Sequence, residues 1–173
     1  MPIHLAQPSD AQDIAHILEQ TRLATYLNSK YNISPNDIKQ HFEHKRKTWW
    51  VKRLEKRLSS QDPSRFHLVY KIGKKPVAYA GWYWHKPQKW SHTLGALYVL
   101  PQYQNQWIGS KLLNYILDKL QPWEKIIVEI ATYNIPAIHF YQKHWFKKIP
   151  TKTGNYKLHS GKILPTIFMK KII

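Results

Sequence analysis

Cysteine is absent from the 173 residues, which excludes a disulfide framework, a thiolate metal site and covalent catalysis through sulfur. Acids are scarce: 10 Asp and Glu face 27 Lys and Arg, for a formal net charge of +17. Such a surface steers polyanions toward it, whether nucleic acid, anionic lipid or a phosphorylated cofactor. It attracts a polycation poorly unless the pocket brings its own acids, and Glu19, Glu43, Glu55 and Glu129 are the few carboxylates able to supply them. No apolar run is long enough to cross a bilayer, and the first residues, MPIHLAQPSD, lack a signal-peptide core, so a cytoplasmic protein is expected.

What is present fits one domain over residues 1–173 with an ordinary 43% hydrophobic content. Ten histidines keep imidazole chemistry open, whereas no metal site is read. Eight tryptophans, Trp49, Trp50, Trp82 and Trp84 among them, exceed the needs of a small core, and some are expected to line a pocket or an interface. Residues 3–6 read as a strand, followed by a helix with Ile14, Ile17 and Leu18 at helical spacing, which Ser9 can cap. Ser34, Pro35 and Asp37 start a basic helical region, residues 38–58, which is either a nucleic-acid or membrane contact or, as its periodicity favours, a solvent face with Phe42, Trp50 and Leu54 buried. Residues 66–72 and 76–85 form a hairpin around Gly73. The second of these strands is apolar on both faces and belongs inside a sheet covered on both sides.

The chain is organised around residues 93–115, TLGALYVLPQYQNQWIGSKLLNY. Apolar Leu94, Leu97, Val99 and Leu100 stop at Pro101, a polar segment turns the chain, and Ile108, Leu112, Leu113, Ile116 and Leu117 resume at helical spacing. A helix starting straight after a strand presents unpaired backbone N–H groups and the positive end of its dipole, so this loop can hold a phosphate without a charged side chain. The bland alternative is an ordinary strand-turn-helix. Beyond it, residues 125–131 read as a strand containing Glu129, and Asn134 and Pro136 open a helix ending near His144. Residues 145–149 and 163–169 supply two last strands, joined by a polar loop with Gly154 and Gly161. This order is an α/β or α+β pattern.

Gln104, Asn105, Gln106, Trp107, Ile108, Gly109 and Ser110 resemble the pyrophosphate loop of the GNAT superfamily of acyl-CoA-dependent N-acetyltransferases, Q/R-x-x-G-x-G/A. Gln104 and Gly109 sit in the pattern. Asn105 replaces a common glycine and tolerates a left-handed backbone. Trp107 stands at the first glycine, where its indole either crowds the cofactor or turns outward and leaves the amides free. The segment VEIATYNIPAIHFYQKHWFKKI resembles the second GNAT signature through Val128, Ile130, Asn134, Ala137, Phe140, Tyr141 and Phe146, with Trp145 in place of a glycine. The resemblance covers nearly the whole chain.

It implies a single mixed sheet of about seven strands, splayed between the fourth and fifth and flanked by about four helices. It also implies acetyl-CoA as co-substrate, its pantetheine pairing with backbone at Leu97, Tyr98 and Val99, its pyrophosphate on the amides from Gln104 to Ser110, and Asn134 on the arm. Tyr141 would be the general acid toward the departing thiolate, although by periodicity alone it is a core aromatic. Relatives often carry a carboxylate on the central strand, but Gly95 and Ala96 stand here. Glu129, which by itself reads as a surface carboxylate, becomes the candidate base or substrate anchor, with His92 a second candidate.

The implied activity is transfer of an acetyl group to a primary amine by direct attack in a ternary complex. The amine is small, carried by a protein, or an aminoacyl-tRNA. The alternative is a catalytically degenerate module of the same fold binding RNA or another polyanion. The partners expected are the amine, a polyanion at the basic surface and a second copy of the chain, but no membrane, since no segment joins a basic face to a continuous apolar one.

Overall fold

The computed structural model describes residues 2–46, 48–60, 62–84 and 90–173, and their side chains except those of 41–50. The side-chain readings at Phe42, Glu43, Trp49 and Trp50, and everything at 85–89, lie outside the described residues. Seven strands form one sheet: β1 (Ile3–Leu5), β2 (Arg65–Ile72), β3 (Lys75–Trp84), β4 (Ser91–Val99), β5 (Lys125–Ala131), β6 (Lys147–Lys157) and β7 (Ile163–Ile172). Their order is β1-β2-β3-β4-β5-β7-β6. Every neighbouring pair is antiparallel except β4 with β5. Five helices accompany them among the described residues: α1 (Ala11–Thr25), α2 (Pro35–Arg46), α3 (Thr48–Ser59), α4 (Ile108–Leu117) and α5 (Ile135–Lys143). The expected four become five because the basic region at 38–58 is two helices, α2 and α3, with Leu54 buried as anticipated.

The two-faced apolar pattern of β3 has the expected consequence. Pro76 to Trp82 are all buried. Arg22 of α1 lies over Tyr98, the cross-strand partner of Tyr79, while Lys111 of α4 lies over Tyr70, the partner of Ala78. Tyr79 and Ala78 alternate along one strand, so α1 and α4 cover opposite faces of the sheet. Ile14, Ile17 and Ile38 fill the first layer, and Leu112, Leu113 and Ile116 the second.

Local chemistry sets the helix starts. Ser34 and Asp37 bond reciprocally: the Ser34 N–H and hydroxyl donate to the Asp37 carboxylate at 2.8 and 2.6 Å, and the Asp37 N–H donates to Ser34 Oγ at 3.3 Å. At α1 the cap is not Ser9. A single turn of tighter helix, Pro8–Asp10, precedes α1. The Gln7 N–H donates there to Asp10, whose carboxylate also binds Lys71 at 2.7 Å. A long-range ion pair thus favours Asp10 over the local serine.

The last hairpin is longer than its composition suggests. Residues 153–157, read as loop, belong to β6 and pair with Ile163–Ile167 after a register shift. This strand lies at the sheet edge with most of its side chains exposed, so it shows no apolar alternation to read.

Candidate active site

The parallel contact between β4 and β5 is brief. It runs from Ser91 opposite Lys125 to Leu94 opposite Val128 and stops. Beyond it β5 stays paired with β7, while β4 from Ala96 to Val99 stays paired with β3 after a bulge at Gly95, and the two strands part. The split opens a cleft of about 930 Å³. Leu97, Tyr98 and Val99 line one wall, Val128, Glu129 and Ile130 the other, with the N-terminus of α4 at one end and Tyr141 of α5 between. This is the expected splay between fourth and fifth strands, and a volume suited to a large cofactor.

The loop into α4 is held by its own side chains. Gln104 Nε2 donates to the Val99 carbonyl at 3.0 Å and Gln106 Nε2 to the Gln102 carbonyl at 3.2 Å. Both glutamine side chains therefore brace the loop. Asn105 adopts φ 60° and Trp107 φ 62°, the left-handed conformation of a glycine. The indole of Trp107 turns outward and is 77% exposed, so the backbone keeps a glycine-like path. The first bond of α4 joins the Lys111 N–H to the Trp107 carbonyl at 2.9 Å. The N–H groups of Ile108, Gly109 and Ser110 precede it at the positive end of the helix. That donor set suits a pyrophosphate, with no side-chain charge required. A Cβ at Gly109 would meet Phe140 at 3.6 Å and Val99 at 3.8 Å, ordinary contacts, so internal crowding does not require glycine here.

Ser110 Oγ and His144 Nε2 share a hydrogen bond of 3.0 Å, tying the start of α4 to the end of α5. Burial, then Lys171, hold His144 below the usual histidine range, so the imidazole is neutral at pH 7. The Lys171 ammonium donates to the His144 carbonyl at 3.0 Å.

At the inner end Tyr141 is 6% exposed, with Phe140 and Phe146 against its ring. Burial, then the neighbouring Tyr98, push its phenol well above the usual value, so it stays protonated. Asn134 caps α5, its Oδ1 accepting from the Ala137 N–H at 3.2 Å, which leaves its NH2 group as the free donor in the cleft wall. Glu129 lines the cleft as the surface carboxylate its alternation suggested, exposed but tethered: Thr166 Oγ1 donates to its Oε1 at 2.6 Å. His92 is elsewhere, 3% exposed at the start of β4 and 3.2 Å from Glu124, outside the cleft lining.

The structure adds residues that no motif marked. Arg22 lies over the rings of Tyr26, Tyr98 and Tyr156 and donates to Tyr156 Oη at 3.1 Å. The Tyr133 hydroxyl donates to the Tyr26 carbonyl at 3.1 Å. These contacts join the end of α1 to β6 and to the loop before α5, and Tyr26, Tyr98 and Tyr133 among them line the cleft. Tyr26 and Tyr31, two aromatics in an otherwise polar connector, are the local trace of this arrangement in the sequence, and Tyr31 stacks on Tyr133 with ring centroids 5.3 Å apart.

No curated protein sequence matches the chain. Solved structures do. The PaiA N-acetyltransferase of Thermoplasma acidophilum, crystallised with coenzyme A, superposes with a TM-score of 0.75 at 17% identity, covering 99% of this chain and 98% of that one. The ribosomal-protein-alanine N-acetyltransferase of Brucella melitensis gives 0.65 at 20% identity over 100% of both chains. The ribosomal-protein-S18-alanine N-acetyltransferase of Escherichia coli gives 0.64 at 18% identity over 99% of this chain and 92% of that one. The family model for the acetyltransferase (GNAT) family matches residues 24–146, which run from the end of α1 through the split strands and the helix-terminal amides to Phe146. The chain belongs to the GNAT acetyltransferases, the family whose co-substrate is acetyl-CoA.

Proposed function

We propose that this acetyltransferase acetylates a primary amine by direct attack within a ternary complex, without an acyl-enzyme. The observation that carries this reading is one cleft holding three features: the helix-terminal amides, the β4 edge released from β5, and a buried protonated tyrosine. Bound acetyl-CoA supplies the activated acyl thioester. The N–H groups of Ile108, Gly109 and Ser110 bind the pyrophosphate, and the β4 edge at Leu97, Tyr98 and Val99 orients the pantetheine. The NH2 of Asn134 holds the same arm. Tyr141 carries the proton needed by a departing thiolate, and its burial keeps that proton on the phenol until then. Glu129, anchored by Thr166, receives or positions the amine, standing in for the carboxylate that β4 lacks.

Calorimetric titration of the purified protein with acetyl-CoA, beside CoA and ADP at two salt concentrations, tests the cofactor half. The expected result is saturable binding that survives high salt, followed by turnover of at least one member of a panel of amines. Absence of binding, or weak binding abolished by salt, refutes the enzyme reading in favour of a polyanion-binding module.

A further inference from the structure

The reading just proposed sets an order along the cleft. With a thioester at Tyr141 and a pyrophosphate on the amides of Ile108 to Ser110, the adenosine end of a linear cofactor falls outside them, at the rim. Among the described residues lining the cleft, Trp107 is the large apolar side chain that stands mainly exposed, at 77%. Left-handed backbone and exposure alone do not single it out, because Trp123 and Trp145 share both, at 72% and 79% exposed. Its place in the cleft wall does, since neither of those two lines the cleft.

We infer that Trp107 is the stacking platform for the adenine base of acetyl-CoA, an inference that rests on the proposed cofactor site. Every nucleobase presents a π face, and an indole held at the rim receives one without needing hydrogen-bond partners. The residue sits where the loop needs a left-handed backbone, so its Cα is fixed by the same turn that aims the pyrophosphate amides. The platform and the phosphate cradle are thereby held at a constant separation. The chemistry recognised is a purine nucleotide attached to a phosphorylated arm.

The test compares wild type, Trp107→Gly, Trp107→Phe and Trp145→Gly by calorimetry with CoA, adenosine 3′,5′-bisphosphate and acetyl-phosphopantetheine, which lacks the adenosine. Trp107→Gly is expected to weaken CoA and the bisphosphate about 5- to 150-fold, the range for loss of one base-aromatic stack. Acetyl-phosphopantetheine should bind within about twofold of wild type, Trp107→Phe should retain most of the CoA affinity, and Trp145→Gly should match wild type. The thermal midpoint of Trp107→Gly should not fall, because glycine suits the left-handed position. Wild type should also show indole fluorescence quenching by the bisphosphate that Trp107→Phe lacks. Wild-type CoA binding that Trp107→Gly preserves overturns the platform and leaves the enzyme reading intact. An equal loss for acetyl-phosphopantetheine also overturns it, by assigning the effect to loop shape. No CoA binding by wild type removes both.

Discussion

Replacing Gly154 by alanine probes how Glu129 is held. Gly154 lies in β6 opposite Thr166, with no positive φ, so an alanine there meets no backbone strain. The obstacle is space. An added Cβ would stand 2.6 Å from Thr166 Oγ1, 2.9 Å from Glu129 Oε1 and 3.0 Å from the Phe168 ring. Restoring an ordinary 3.4 Å contact requires the threonine hydroxyl to retreat by about 0.8 Å and the carboxylate oxygen by about 0.5 Å. The hydrogen bond between them, 2.6 Å long, cannot survive both movements unchanged. Overpacking of this kind costs about 1–3 kcal/mol. For a chain of this length that corresponds to a fall in Tm of roughly 2–12 °C. If Glu129 holds the amine, a displacement of about half an ångström should lower kcat by up to about 10-fold, with acetyl-CoA affinity unchanged. The assay is steady-state acetylation beside a thermal melt, repeated in a Glu129→Gln background where Gly154→Ala should cost no further rate. An unchanged Tm and rate, or an equal rate loss in the Glu129→Gln background, would refute the argument.

Tyr141→Phe should lower kcat by roughly 100-fold or more, the scale of general acid catalysis, while acetyl-CoA affinity stays within about twofold because the ring packing against Phe140 and Phe146 is retained. Unchanged turnover removes Tyr141 from the acid role. His67, bonded through Nδ1 to the Tyr79 hydroxyl at 2.7 Å, is held down to about 4 by burial and then by Arg57 and Arg65. The unfolded chain therefore binds this proton more readily. Stability is full above about pH 6.5, declines as pH falls, and by pH 4 this group has removed up to about 3 kcal/mol. His92 and His144 shift in the same direction, so His67→Gln should flatten the decline only in part, and an identical pH profile in urea unfolding would count against the assignment.

Turn chemistry and periodicity were enough to read the element order, because both are local. The Ser34 and Asp37 cap, the left-handed Asn105 and the doubly buried β3 follow from residue types within a few positions of one another. The two half-motifs were legible for the same reason, since a helix-terminal anion site is built within a single loop. Five helices rather than four, and a β6 reaching Lys157, were less so. An exposed edge strand has no buried face to imprint a pattern.

The sequence by itself determined that a strand, a glycine-bearing loop and a helix would place unpaired amides beside a tyrosine-bearing second helix, with a basic, cysteine-free chain around them. Tertiary structure alone decided what those parts can do together. The β4–β5 pairing ends after Leu94 and opens the cleft, Ser110 meets His144 across 34 positions, Thr166 reaches Glu129 across 37, and Arg22 reaches Tyr156 across 134. The outward turn of Trp107 was likewise settled by the folded loop, which needs a left-handed residue whether or not that residue is glycine. Local propensity extends over a turn or two of chain, whereas these contacts exist only after the sheet has brought distant segments together.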